Sequence, residues 1–241
     1  MKKLIAVLIS ATIFNTSAHS FFDDYQKVGT ETLSLPADNL RHFSIEAGAG
    51  SLTLIGHDNS VIEVTAEIYQ EEKGSPYCLT LGSLSDNKAK LKANTCHNNN
   101  HTRINLAVYL PKQLLTEISD GSGPINSENT AIFSINDGSG EIVMTSNHAD
   151  LEVNDGSGAI EIRQQYGGLT INDGSGGIDV NQVDGDVNIS DGSGSIDVKN
   201  IAGRVMVSDG SGSINIDTAQ AFELISDGSG SVSVVNVNSA K

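Results

Sequence analysis

Seven aspartates stand at nearly constant intervals. Asp120, Asp137, Asp155, Asp173, Asp191, Asp209 and Asp227 each open the tetrapeptide Asp-Gly-Ser-Gly, at a first step of 17 residues and then steps of 18. Carboxylates held about 5 Å apart repel by about 0.8 kcal/mol per pair even at the dielectric of water. A divalent cation would relieve that repulsion, and calcium takes oxygen ligands from Asp and from backbone carbonyls. Calcium-binding rolls, however, place their glycines before the Asp. Here the Asp precedes the Gly pair, and the motif occurs once per 18 residues. The plainer chemistry is a turn, in which the Asp side chain accepts a hydrogen bond from the backbone two residues on and the glycines permit positive φ. The column therefore reads first as a structural turn ladder, with a cation site as the alternative.

Other reactive groups are sparse. Ser122 and its six copies lack a His–Asp partner within the repeat and lack the strand–elbow–helix setting of a hydrolase nucleophile. Carboxylate pairs suited to sugar cleavage exist in Asp184 with Asp186 and Glu152 with Glu161. No Lys or Arg clusters beside them, so an acidic surface accounts for them. The expectation is a protein that is not an enzyme and needs no cofactor, with a polysaccharide-active enzyme as the lesser alternative. Cys78 and Cys96 flank a hairpin whose tip is Asp86-Asn87-Lys88. In an oxidising compartment they read as a disulfide that closes a loop of about 18 residues and contributes about 3 kcal/mol. The rival is a zinc or copper site from Cys78, Cys96, His97 and His101.

The elements that position these groups follow from the repeat. Two residues before each Asp stands Ile118, Ile135, Val153, Ile171, Ile189, Val207 or Ile225, and five after it Ile125, Ile142, Ile160, Ile178, Ile196, Ile214 or Val232. Seven after it are Met144, Ile162, Val180, Val198, Ile216 and Val234, with Ser127 the exception. Ten after it the slot loosens, with Thr130, Asn147 and Gln165 polar. Apolar and polar residues alternate within each segment, the period of a strand with one buried face. One 18-residue unit cannot bury its own Ile and Val. Stacked on its copies at about 4.8 Å per rung, it can. The expected fold is all-β: a parallel β-solenoid of about seven regular 18-residue coils, roughly 33 Å tall, with an irregular N-terminal cap containing a hairpin.

Composition narrows the function. The chain has 241 residues, 30 Asp+Glu against 14 Lys+Arg, and a net charge of −16. Between residues 120 and 241 there are 18 acidic and 4 basic residues. This leaves no basic excess to neutralise phosphates and argues against a nucleic-acid partner. No apolar run in the body approaches the ~20 residues of a transmembrane helix. At the N-terminus, Met1-Lys2-Lys3 precedes an apolar run from Leu4 to Phe14, and Ala18-His19-Ser20 supplies small residues at a cleavage site. That is the layout of a secretory signal peptide.

The segment Leu40-Arg41-His42-Phe43-Ser44-Ile45-Glu46-Ala47-Gly48-Ala49-Gly50-Ser51-Leu52-Thr53-Leu54, the Val61–Ala66 strand and the Asp-Gly-Ser-Gly ladders resemble the bacterial "putative adhesin" domain families of unknown function. The resemblance covers roughly residues 30–237. It implies a β-solenoid of the cell envelope and carries over no catalytic residues. The expected organisation is a signal peptide at 1–20, irregular coils and a capping hairpin at 21–115, and the regular solenoid at 116–241. The expected location is periplasmic or secreted. The expected partner is an envelope or surface protein or polysaccharide. The last coil, with Val232, Val234, Val235 and Val237, presents an open edge suited to weak end-to-end self-association.

Overall fold

Each alternating segment of the repeat forms a strand whose apolar residues face inward. A computed structural model of the protein describes residues 25–85, 87–94 and 101–239. The expected signal peptide, Asp86, Cys96 and His97 lie outside them. The N-terminal strands are β1 (Gln26–Pro36), β2 (His42–Ala47), β3 (Leu52–His57), β4 (Val61–Gln70), β5 (Cys78–Ser85), β6 (Lys88–Asn94), β7 (Thr102–Pro111) and β8 (Leu115–Asp120). The regular coils comprise β9 (Ile125–Asp137), β10 (Ile142–Asn147), β11 (Leu151–Asp155), β12 (Ile160–Gln165), β13 (Leu169–Asp173), β14 (Ile178–Val183), β15 (Val187–Asp191), β16 (Gly194–Asp209), β17 (Gly212–Asp227) and β18 (Gly230–Val237).

The chain winds these strands into a parallel β-solenoid of about seven turns. Two stacks run along it. One passes through β3, β9, β10, β12, β14, β16, β17 and β18. The other passes through β2, β8, β9, β11, β13, β15, β16 and β17. In the first stack Ile125, Ile142, Ile160, Ile178, Ile196 and Ile214 lie in register, each at most 1% exposed. Each such side chain gains about 1.5–3 kcal/mol from burial, and only the neighbouring rungs provide that burial.

The last turn departs from the expected pattern. Val207 lies over Leu224 rather than Ile225, and the register recovers at Ser208 over Ser226. The extra residue pushes Ile225 outward, where it is 59% exposed. It does not continue the buried column from Ile118 to Val207.

The corners explain the glycines in two ways. The second Gly of each motif holds a positive φ, as at Gly176 (φ 153) and Gly194 (φ 152). The first does not, contrary to the expectation that both would. It is small because rungs meet there: a Cβ on Gly174 would stand 2.5 Å from the Gly156 carbonyl oxygen. The corner backbone joins the ladder, with Gly158 N–H donating to the Ser175 carbonyl and Gly174 N–H to the Asp155 carbonyl. A second corner lies nine residues after each Asp, where Asn129, Ser146, Gln164, Gln182, Asn200, Thr218 and Asn236 hold φ between 55 and 66°.

The N-terminal end is built differently. There β5 and β6 form an antiparallel hairpin, and β6 lies parallel on β2. β4 pairs antiparallel with both β1 and β7, and β7 lies parallel on β3. At the other end, Val232 is 40% and Val235 49% exposed on β18.

Candidate functional site

The corner that carries each Asp turns the side chain inward. Because Asp120 has the parity of Thr116 and Ile118 in β8, it shares their buried face. The same holds up the rod. Asp120, Asp137, Asp155, Asp173, Asp191, Asp209 and Asp227 stand in direct register, one per rung. The first six are 3 to 7% exposed, and Asp227 at the open end is exposed.

Five of the six interior carboxylates use one oxygen and leave the other unpartnered. Oδ1 of Asp137, Asp155, Asp173, Asp191 and Asp209 accepts the backbone N–H of the Ser two residues on, at 3.1–3.3 Å. Their Oδ2 atoms, and both oxygens of Asp120, are buried without a hydrogen-bond partner. Burial raises the carboxyls of Asp120, Asp137, Asp155, Asp173 and Asp191 above the ordinary range. Asp120 reaches about 7, chiefly through burial and then through the charge of Asp137. Asp173 reaches about 6, again chiefly through burial, with the Ser175 N–H opposing and the charges of Asp191 and Asp155 adding. Asp137, Asp155 and Asp191 are raised with burial as the leading cause.

The polar residues of the opposite corner behave otherwise. Asn147, 1% exposed, accepts the Ile132 N–H at 2.7 Å and donates to the Ile132 carbonyl and to Gln165 Oε1. Gln165 donates to the carbonyls of Ala149 and Gly168. Ser127 and Thr130 share a bond of 2.7 Å. These apparent breaks in the apolar pattern are satisfied core polar groups. Among the described residues of the regular coils, the buried unpartnered side-chain oxygens are all in the Asp column.

Outward ladders flank the column. Asn172 donates to Asn154 and Asn154 to Asn136, and the Ser208 and Ser226 hydroxyls lie 2.6 Å apart. On the second corner Ser146 donates to Gln164, and Asn200 to Asn181.

The remaining candidates do not converge. Asp186 Oδ1 accepts the Arg204 N–H at 2.8 Å, Glu152 accepts an Asn154 amide proton, and Glu161 pairs with Arg163. These are local structural bonds. A surface hollow of about 390 Å³, lined in part by Leu40, Arg41, His42 and Leu114, has no carboxylate in its wall. Cys78 begins β5 opposite Asn94, while Cys96 lies outside the described residues. His101 Nδ1 meets Glu71 Oε2 at 2.5 Å. No group of three or more His, Cys, Asp or Glu side chains among the described residues has metal-binding geometry, and among them no helix is long and apolar enough to cross a membrane.

The sequence placed the Asp at the turn but did not draw out its inward direction. Its parity with the residue two before it was the available signal. The positive-φ corner nine residues on was missed, because Asn, Ser, Gln and Thr there share polarity rather than identity.

No known protein family and no curated protein matches the chain. Solved structures do. A "putative cell adhesion protein" from Clostridium sporogenes is 12% identical over 88% of this chain and 99% of that one, with a TM-score of 0.39. A "putative adhesin" from Bacteroides fragilis is 12% identical over 88% and 97%, with a TM-score of 0.44. A "putative lipid binding protein" from Parabacteroides distasonis is 15% identical over 88% and 96%, with a TM-score of 0.39.

Proposed function

We propose that the chain is an exported, non-catalytic binding or scaffolding rod of the bacterial cell envelope. Residues 1–20 serve as its leader, 21–115 as its cap and 116–241 as its shaft. The supporting observation is the register of the coils. Like side chains face solvent one rung apart, as in the Asn136–Asn154–Asn172 ladder, so that many equivalent weak contacts act together on a repetitive partner. An envelope polysaccharide or a surface protein provides such a partner. The 18 acidic and 4 basic residues from 120 onward disfavour a nucleic acid.

The test has two readouts. Expressed in a bacterium, the full chain should be recovered from the periplasm or medium and cut after Ala18 or Ser20. Purified, it should be retained on immobilised envelope fractions, and Ala at Asn136, Asn154 and Asn172 should reduce retention. Cytoplasmic recovery of an uncut chain refutes export. Absence of retention, or cleavage of envelope polysaccharide by the purified chain, refutes the binding role. The apolar edge at Val232 and Val235 supports weak end-to-end association, which sedimentation over a wide concentration range reads as a rising mass. A constant monomer refutes it.

A further inference from the structure

Among the described residues, no side chain donates to the interior carboxylates, which are met only by backbone N–H groups of their own corner. The Asp column supplies the only ionisable side chains buried among the described residues. The acids flanking it on the same strands and across the corner, Glu117, Glu141, Glu152, Glu161, Asp179 and Asp197, lie on the outward faces, as do the shaft's Arg163, Lys199 and Arg204. In the coil beneath Asp120 the corresponding residue is Ala47, fixed by the pairing of Glu46 with Ser119 and Ala49 with Ser122. The column thus ends on a methyl group below and at solvent above.

A buried carboxylate oxygen without a donor is costly, and a file of them at rung spacing adds mutual repulsion. A proton relieves both costs. It neutralises the carboxyl, which ends the repulsion along the column and lowers the cost of burial. We infer that the Asp column is a proton-binding spine, which takes up protons on its buried, unpartnered carboxylate oxygens while Oδ1 of Asp137, Asp155, Asp173, Asp191 and Asp209 keeps its Ser N–H.

The folded column holds these protons where burial, the leading cause, raises Asp120, Asp137, Asp155, Asp173 and Asp191. The unfolded chain releases them above the ordinary Asp range. The folded state then binds more protons than the unfolded one, so stability falls as pH rises. The fall begins above 3.8 and runs through about 6 for Asp173 and about 7 for Asp120.

The experiment uses the full chain. Urea unfolding followed across about pH 5 to 8 should show the folding constant dropping about tenfold or more. At about pH 6 the folded protein should show an infrared carbonyl band of protonated carboxyl, sensitive to deuteration. Asp155→Asn with Asp173→Asn keeps the acceptor for the Ser N–H and removes two adjacent charges from the column. It should flatten the pH dependence and raise the urea midpoint at the alkaline end. The infrared band of the parent decides the matter if this variant fails to fold. A stability that is level or rising over this range overturns the inference, as does absence of the band. So does a pH dependence untouched by the two Asn substitutions. Stabilisation by sodium, potassium or calcium at constant ionic strength and alkaline pH, with no protonated carboxyl, also overturns it and assigns the column to a cation.

Discussion

Replacing Gly176 by Ala tests the solenoid at one of its closest backbone approaches. Gly176 has φ +153, and a Cβ built on it stands 1.6 Å from the Gly158 carbonyl oxygen, where real Cβ atoms essentially never come within 3.0 Å. The rungs must part by about 1.4 Å, from the difference of those distances. Such a shift carries the Gly158 N–H to Ser175 carbonyl bond, now 3.0 Å, beyond hydrogen-bonding range, and stretches the 3.1 Å bond from Gly174 N–H to the Asp155 carbonyl. Strain at a backbone conformation favouring Gly costs about 1–3 kcal/mol. Two lost backbone bonds add about 1 kcal/mol each, and the stiffer unfolded chain returns about 0.4–1 kcal/mol. The net loss is about 3 kcal/mol. The control is Gly82→Ala, where nothing lies within 4 Å of the added carbon. Urea unfolding monitored by far-UV circular dichroism should separate the two variants by about 3 kcal/mol. Hydrogen exchange should show lost protection centred on the coils either side of residue 176. If Gly176→Ala unfolds within about 0.5 kcal/mol of Gly82→Ala, close backbone stacking is not what selects glycine at this corner.

Ile196→Ala empties a position that is 0% exposed, whereas Ile225 is 59% exposed. The first should cost about 2–5 kcal/mol and the second less than about 0.5 kcal/mol by denaturation, and equal effects would contradict the shifted register of the last turn. Asn147→Leu leaves the Ile132 N–H and carbonyl without their side-chain partner and should destabilise by about 1–3 kcal/mol per orphaned group. A neutral result would mean the polar corner is dispensable. Tyr77 donates to Glu31, and its phenol is pushed up to about 12, chiefly by burial and then by that bond and the Glu31 charge. Alkaline spectrophotometric titration should show one tyrosine ionising after the others, absent in Tyr77→Phe. Because the folded state retains that proton longer, stability falls as pH rises through the tyrosine range. The proposed Cys78–Cys96 disulfide should appear as a linked peptide pair in non-reduced digests, and reduction should cost about 3 kcal/mol. Two free thiols in the exported protein refute it.

The architecture was legible because identity and period coincide in the sequence. A strand that must lie on its own copy needs the same apolar residue at the same place, and Ile142, Ile160, Ile178 and Ile196 announce that directly. The hairpin β5–β6 was equally visible from its two alternating runs. Less was legible where several residue types satisfy one physical demand. Asn129, Gln164 and Thr218 all adopt positive φ at the second corner. Thr130, Asn147 and Gln165 stand where Val183 and Ile201 stand higher up, and their burial depends on hydrogen bonds that no pattern reveals. At Ile225 a one-residue slip overrode the repeat. The Asp column was plain in the sequence. Its missing partners were not, because they depend on what every other strand turns inward.

The uniform junction between rungs has a consequence for length. Excising residues 174–191 would join Asp173 to Gly192 and regenerate an intact Asp-Gly-Ser-Gly corner, with Gln165 set against Ile201 as it now lies against Val183. Duplication of the same block would do the reverse. Each event changes the reach of the shaft by about 4.8 Å and leaves both extremities unaltered. The molecule is in this sense a ruler graduated in whole coils, and its span can be reset by recombination within the gene without redesign of any surface.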